Sequence, residues 1–211
     1  MPLHDEPGPV SAPRLVLATR NPKKLAELSR ILEPMIDIEV LGLDDLPRYQ
    51  ESPETGATFA QNALAKAHEA SVATGLPAVA DDSGLVVDAL NGMPGVLSAR
   101  WAGRHGNDIA NLDLLLGQIA DVPDERRGAA FVCAAAFVAP GGVEHVIEAE
   151  LRGRIIRKAR GQGGFGYDPI FVPDGHEVTT AEMKPQDKDA ISHRGKAFRT
   201  MAPVVAAALK G

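Results

Sequence analysis

Two long strand-like runs, Phe131–Ala139 and Val143–Ile156, flank the tripeptide Pro140-Gly141-Gly142. Extended segments on either side of a Gly-containing turn predict an antiparallel hairpin, and a hairpin this long commits the chain to a sheet. What precedes it alternates. Arg14–Ala18 reads as a short apolar strand, and Lys24–Leu32 as a helix with Leu25, Leu28, Ile31 and Leu32 on one stripe. Ile36–Leu43 alternates as a strand does. Thr58 followed three residues on by Gln61 is a capping-box signature, and it opens a helix running to about Thr74. Ala78–Ala80 is a short buried strand ending at Asp81-Asp82-Ser83-Gly84, and Leu85–Leu90 reads as another. Ile109, Leu112, Leu115, Leu116 and Ile119 mark a further amphipathic helix. After the hairpin, a glycine-rich loop (Gly161–Gly166) leads to a strand at Ile170–Val172. A helix from about Ile191 to Leu209 follows, with Gly195 and Pro203 as its weak points.

Alternating elements followed by a hairpin predict an α/β fold: a mixed, mostly central twisted sheet flanked by helices, with a hairpin-rich second lobe. The length of 211 residues suits a single domain, residues 14–211, of two lobes. Residues 1–13 carry no basic-then-apolar pattern, so they are expected to be a disordered tail and not a signal peptide. The longest apolar run, Ala129–Ala139, falls well short of the roughly 20 residues a membrane helix needs. The single cysteine, Cys133, lies inside that run and reads as a buried structural thiol. Cytoplasmic location is the default expectation. Lys+Arg 22 against Asp+Glu 28 gives a net charge of -6, which argues against a general nucleic-acid or anionic-membrane binder.

Four polar clusters carry the chemistry. In Thr19-Arg20-Asn21-Pro22-Lys23-Lys24, Asn21 is a good N-cap and Pro22 takes the first helical position. A helix N-terminus with two lysines and a hydroxyl beside it suits phosphate; a well-capped helix with solvated lysines is the alternative. The second cluster is acidic, Glu54 with Asp81-Asp82. Placed at a strand end, those acids can converge on a cleft and hold Mg²⁺ jointly with substrate phosphates, or simply cap a turn. Lys66 and Asn62 share a helix face by their four-residue spacing and either line that cleft or form a solvated stripe.

The third cluster, Gly161-Gln162-Gly163-Gly164-Phe165-Gly166, fits the dinucleotide fingerprint letter by letter. That fingerprint opens a helix, whereas here Tyr167-Asp168-Pro169 and a strand follow, so the Rossmann reading fails. The loop still presents Phe165 and Tyr167 for stacking on a base, or for filling a core gap. In the fourth, Ser192-His193-Arg194-Gly195 with Lys188 upstream, His193 and Arg194 are donors suited to a carbonyl oxygen on a base edge. No G-x-S-x-G elbow supports a serine hydrolase.

Taken together, these clusters resemble the inosine/xanthosine triphosphate pyrophosphatases, the Ham1-like family that acts on non-standard purine nucleotides. The likeness runs from about Arg14 to Leu209. It rests on Thr19–Lys24, Glu54–Phe59, Ala80–Leu85, Gly163–Pro169 and Ser192–Gly195 occurring in that order. The resemblance implies a homodimeric α/β enzyme, its active site in a cleft between lobes, that uses Mg²⁺ to hydrolyse ITP, dITP and XTP to the monophosphate and pyrophosphate. It implies a triphosphate loop at Thr19, Arg20, Asn21, Pro22, Lys23 and Lys24, with Lys66 and Ser83 as further substrate contacts. It implies metal carboxylates at Glu54 and Asp82, with Asp81 a helper and Asp82 also the general base. The base pocket falls on Phe165, Gly166, Tyr167, Asp168, Lys188, His193 and Arg194. Arg20 stands where many members have glycine, and residues 1–13 match nothing in the family. A non-catalytic nucleotide sensor and a nucleic-acid module are the rival readings; the acid pair weighs against the first and the acidic balance against the second.

Overall fold

A computed structural model describes residues 13–35 and 37–209. The tail expected over 1–13 lies, except for Pro13, outside the described residues, as does Ile36. Eleven regular elements follow one another: β1 Arg14–Leu17, α1 Pro22–Leu32, β2 Glu39–Gly42, α2 Phe59–Thr74, β3 Ala78–Val87, α3 Asp108–Gln118, β4 Gly128–Ala139, β5 Val143–Ile155, β6 Phe171–Pro173, α4 Pro185–Ile191 and α5 His193–Ala208. The strands form one mixed sheet in the order β2-β1-β3-β4-β5-β6. β1 runs parallel to β2 and β3, and every later pairing is antiparallel. The expected sheet flanked by helices is therefore present. Among the described residues no helix is long and apolar enough to cross a membrane.

The sequence reading is corrected at two places that matter for function. Ala78–Ala80 and Leu85–Leu90 are not separate strands. Ala78–Val87 is one strand, and Asp81, Asp82, Ser83 and Gly84 lie in its middle, opposite Ala135, Ala134, Cys133 and Val132 of β4. Turn-prone residues stay extended here because β4 supplies a complete ladder of backbone partners, which local propensity cannot outweigh. Gly84 is required by a close approach: a Cβ there would stand 2.5 Å from both Gly95 O and Ser98 Oγ. The second is at the C-terminal end, where a short helix not expected from the sequence, α4, runs up to Ile191 ahead of the expected helix, which is α5. Ser192 is extended and caps α5, its hydroxyl accepting from Gly195 N at 2.9 Å, so His193 and Arg194 occupy the first turn of α5.

Side chains alternate across a strand, and the sheet is buried on both faces. On one, Leu15, Leu17, Val79 and Phe137 pack under α1 and α5, against Leu28, Leu32, Phe198 and Met201. Farther along the same face Leu85, Val87, Phe131 and Leu151 pack with Leu115 and Ile119. The opposite face is built of small residues, Ala78, Ala80, Ala134 and Ala136, which meet Ala63, Ala67 and Ala70 of α2. Small residues on both sides bring α2 close to the strands, and its polar side chains with it.

Cys133 is fully buried beside Ser83, and burial pushes its thiol up to about 12. A thiol held protonated and out of solvent is inert. The native protein at pH 8 should therefore not react with a thiol-specific disulfide reagent, and should titrate one thiol after unfolding in guanidinium. A native protein reacting within minutes would contradict this burial.

Candidate active site

The continuity of β3 through both acids shapes the site. In a continuous strand, adjacent acids point to opposite faces, so Asp81 and Asp82 do not converge at a strand end. Each has its own set of partners.

Asp81 faces α1 and α5. Its carboxylate accepts from Lys24 Nζ at 3.0 and 3.2 Å, from Arg194 Nε at 3.1 Å and from the Ser83 hydroxyl. Burial alone would raise its pKa; Lys24, Arg194 and Lys66 outweigh that and hold the carboxyl well below the usual carboxylate range. Arg194 also donates through Nη1 to Glu27 Oε2 at 3.2 Å, a buried contact that reading the sequence missed. The only hint was that Glu27 lies three residues after Lys24, on the same helix face.

Asp82 faces α2. It accepts from Asn62 Nδ2 at 3.0 Å and from Lys66 Nζ at 3.0 Å, and the same ammonium reaches Glu54 Oε1 at 2.9 Å. The four-residue spacing of Asn62 and Lys66 thus does put both on one side of a single carboxylate. Burial raises the Asp82 pKa, the neighbouring Glu54 charge adds to the rise, and Lys66 and Asn62 only partly offset them. Glu54 moves the other way. Burial would raise it, but Lys66 and Arg100 hold it below its ordinary value. Arg100, also missed in the sequence, donates to both Glu54 Oε2 and the Glu54 backbone oxygen.

The loop before α1 is shaped as its composition suggests. Asn21 Oδ1 accepts from Lys23 N at 3.0 Å and Lys24 N at 3.2 Å, Asn21 N donates to Thr19 Oγ1, and Pro22 takes the first turn. Arg20 departs from its neighbours, its guanidinium turned to Glu51 and to Asp44. These are surface ion pairs, worth about 0–1 kcal/mol and easily exchanged.

The base-side residues divide. Phe165 is half-buried with cations around its ring: Arg194 Cζ at 5.1 Å, Lys188 Nζ at 5.2 Å and Lys23 Nζ at 6.0 Å from the centroid. Asp168 fixes the loop that carries it, accepting from Phe165 N at 2.8 Å, Thr180 Oγ1 at 2.7 Å and Lys188 Nζ at 2.6 Å. Gly164 needs its φ of +68°, and a Cβ there would meet Asp168 Oδ2 at 2.0 Å. Gly166 N donates to Asp108 Oδ2 at 2.9 Å. Tyr167 instead points into the core, its hydroxyl donating to Ser98 O at 2.9 Å. His193 is buried and stacked on Phe131 with ring centroids 5.0 Å apart. Burial, with Arg194 and Lys188 nearby, holds it neutral.

Lys23, Lys24, Arg194, Lys188, Phe165, Asp168 and Asp81 therefore form one contact chain, and Glu54, Lys66, Asn62, Asp82 and Arg100 a second. β3 joins the two. Such an arrangement suits a planar aromatic ligand bearing several negative charges, with a reluctant carboxylate beside it. A separate groove of 640 Å³, lined by Ala139, Pro140, Val143, Pro203 and Val204 among others, is apolar and lies away from both chains. Among the described residues no group of three or more His, Cys, Asp or Glu is placed to hold a metal. Glu54 and Asp82 do fit Mg²⁺ in a narrower sense: they are two hard carboxylates already sharing one cation, the Lys66 ammonium. Mg²⁺ commonly takes one or two carboxylates and draws its remaining oxygens from substrate phosphates.

The Ham1 family model matches residues 15–204. The dITP/XTP pyrophosphatase of Nocardia farcinica is 63% identical over 196 residues, 92% of this chain and 95% of that protein. The dITP/XTP pyrophosphatase of Mycobacterium tuberculosis H37Rv is 57% identical over 194 residues, 91% of this chain and 95% of its own. Among solved structures, a nucleoside-triphosphatase / dITP/XTP pyrophosphatase from Mycobacterium abscessus superposes with a TM-score of 0.74 at 60% identity, covering 90% of this chain and 99% of its own. A HAM1 protein from Coxiella burnetii gives 0.80 at 40% identity, with 92% and 98% covered.

Proposed function

This chain belongs to the Ham1 family, and from that premise we propose that it is a dITP/XTP pyrophosphatase that hydrolyses the α–β phosphoanhydride of ITP, dITP and XTP, releasing pyrophosphate. The observation that carries this reading is the split of the acid pair across β3, one acid locked among cations and the other kept reluctant to ionise beside Glu54 and Lys66.

Lys23 and Lys24, on the capped first turn of α1, meet the triphosphate together with the free backbone N–H groups of that turn. Lys66 adds a third ammonium from α2. Arg20 joins them by giving up its pairs with Asp44 and Glu51. Glu54 and Asp82 would hold Mg²⁺ together with substrate phosphates, and the bound ion would help to neutralise the charge that develops on them. Asp82, held on the α2 side by Asn62 and Lys66, orients water and takes its proton. Phe165 stacks on the purine, and Lys188 and Arg194 present donors to a 6-oxo group. The 6-amino group of adenine would leave those donors facing another donor, a mismatch by which sites discriminate strongly. The same reading carries a homodimer and a cytoplasmic enzyme; light scattering of the purified chain tests the first.

The direct test supplies ITP, dITP, XTP, ATP and GTP with Mg²⁺ and follows product. Pyrophosphate should appear from the first three with kcat/KM about 100-fold or more above ATP, and chelation by EDTA should stop the reaction. Equal rates on ATP would sink the specificity. Orthophosphate as first product would sink attack at the α-phosphorus.

A further inference from the structure

Glu54 stands on a stretch with neither helix nor strand, between β2 and α2. Its carboxylate is gripped from two sides: Lys66 Nζ holds Oε1, and Arg100 Nη1 lies 3.3 Å from Oε2 while Arg100 Nη2 lies 3.3 Å from the Glu54 backbone oxygen. Each Arg100 contact is long for a hydrogen bond. Together they form a fork on one residue, fixing side chain and main chain at once.

What lies behind Arg100 decides which residue positions which. It ends the 3-10 segment Gly95–Arg100, whose backbone is pinned from the core on both sides. Ser98 Oγ accepts from Leu85 N at 2.9 Å and donates to Gly95 O at 2.6 Å. Asn111 donates to Ala99 O at 3.2 Å and accepts from Ala102 N at 2.7 Å. Ser98 and Asn111 are both buried. The segment sits directly on Gly84, where a Cβ would push it away. Arg100 thus rises from a mount fastened to the strand that carries Asp82. The stretch around Glu54 is instead tied to α2, by Ser52 N to Glu69 Oε2 at 3.1 Å, Gly56 N to Asn62 Oδ1 at 2.8 Å and Ala57 N to Gln61 Oε1 at 2.8 Å, and Arg100 is its link to β3.

We infer that Arg100 is a positioning residue: through the Gly95–Arg100 segment it transmits the position of β3 to the loop, and so holds Glu54 in place against Asp82. This rests on the reading of Glu54 as a metal-holding carboxylate. Removing the partner of a metal-ligating group typically costs about 10–100-fold.

Arg100→Gln, Glu54→Gln and the double variant are compared with the parent in two ways: the Mg²⁺ dependence of ITP hydrolysis, and amide hydrogen exchange of the ligand-free proteins. Arg100→Gln should raise the Mg²⁺ concentration for half-maximal rate about tenfold and speed exchange over residues 52–57. In the Glu54→Gln background it should add less than about twofold, as expected for two residues acting as one unit. Equal losses in both backgrounds, or unchanged exchange over 52–57, would overturn the inference, since Arg100 would then act elsewhere than through Glu54. A Glu54→Gln enzyme with the parent's rate and Mg²⁺ dependence is a separate result. It removes the metal-holding role of Glu54, and the inference with it.

Discussion

Asp82→Asn should lower kcat for ITP by about 10³-fold and leave the folded protein about as stable as the parent. The rate loss follows because an amide cannot take a proton from water. Stability follows from the direction of the pKa. Burial and the Glu54 charge disfavour the ionised Asp82 carboxyl in the folded state, so a neutral isostere relieves part of that cost. The amide oxygen can still accept from Asn62 and Lys66 keeps Glu54, but the new NH2 group faces the Lys66 ammonium, a donor against a donor, which offsets the relief. Single-turnover hydrolysis with ITP measures the first effect and thermal melting the second. ITP affinity should stay within a few fold, because the cations around Phe165 and at the first turn of α1 are untouched. A variant hydrolysing ITP at the parent's rate would remove Asp82 from the chemistry.

Its neighbour should behave in the reverse way. Asp81→Asn leaves Arg194 with Glu27 as its remaining carboxylate contact, and Lys24 with none among the described residues. Breaking one partner out of a buried ionic cluster costs about 3–5 kcal/mol. In a protein of this size that is a fall in melting temperature of about 6–20 °C. Turnover should fall as well, since Lys24 and Arg194 lose the group that fixes them. Asp81 releases its proton more readily folded than unfolded. Its contribution is therefore complete above the ordinary carboxylate value of about 4 and fades as pH drops below it. A melting temperature within about 2 °C of the parent at pH 7 would show that the cluster contributes little.

These opposite expectations for two consecutive aspartates could not be reached from the sequence, and the reason is physical. Asp81-Asp82-Ser83-Gly84 has the local chemistry of a turn. What keeps it extended is the ladder to Ala134 and Ala135 of β4, together with partners far along the chain, Lys24, Lys66 and Arg194. Patterns confined to neighbours were legible: the amphipathic stripe of α1, the Asn21 and Thr58 caps, and the hairpin around Pro140-Gly141-Gly142. The start of α5 was nearly so: Ser192 is a favoured N-cap residue one position after the expected start near Ile191. Glu27 and Arg100 were not legible. Each acquires its role from one contact across the fold, with Arg194 and Glu54, and nothing in the surrounding sequence marks it. Tyr167 shows the same limit in reverse: an aromatic beside a glycine loop suggested stacking, yet its hydroxyl ends on Ser98 O inside the core.

The pairing of β3 with β4 runs residue by residue from Ala78 against Val138 to Val87 against Ala129. In a strand, slipping by a single residue exchanges the two faces. A misfolded chain with β3 one position out could put Asp81 in the place of Asp82, beside Asn62 and Lys66, and carry Asp82 on to the place of Ser83. Such a slip would also turn Val79, Leu85 and Val87 toward the face where Ala63, Ala67 and Ala70 of α2 pack, and Ala78 and Ala80 toward the face of larger residues. Turnover of ITP is therefore also a gauge of folding fidelity, registering a slip of about 3.3 Å along a single strand that spectroscopy of secondary structure would pass as native.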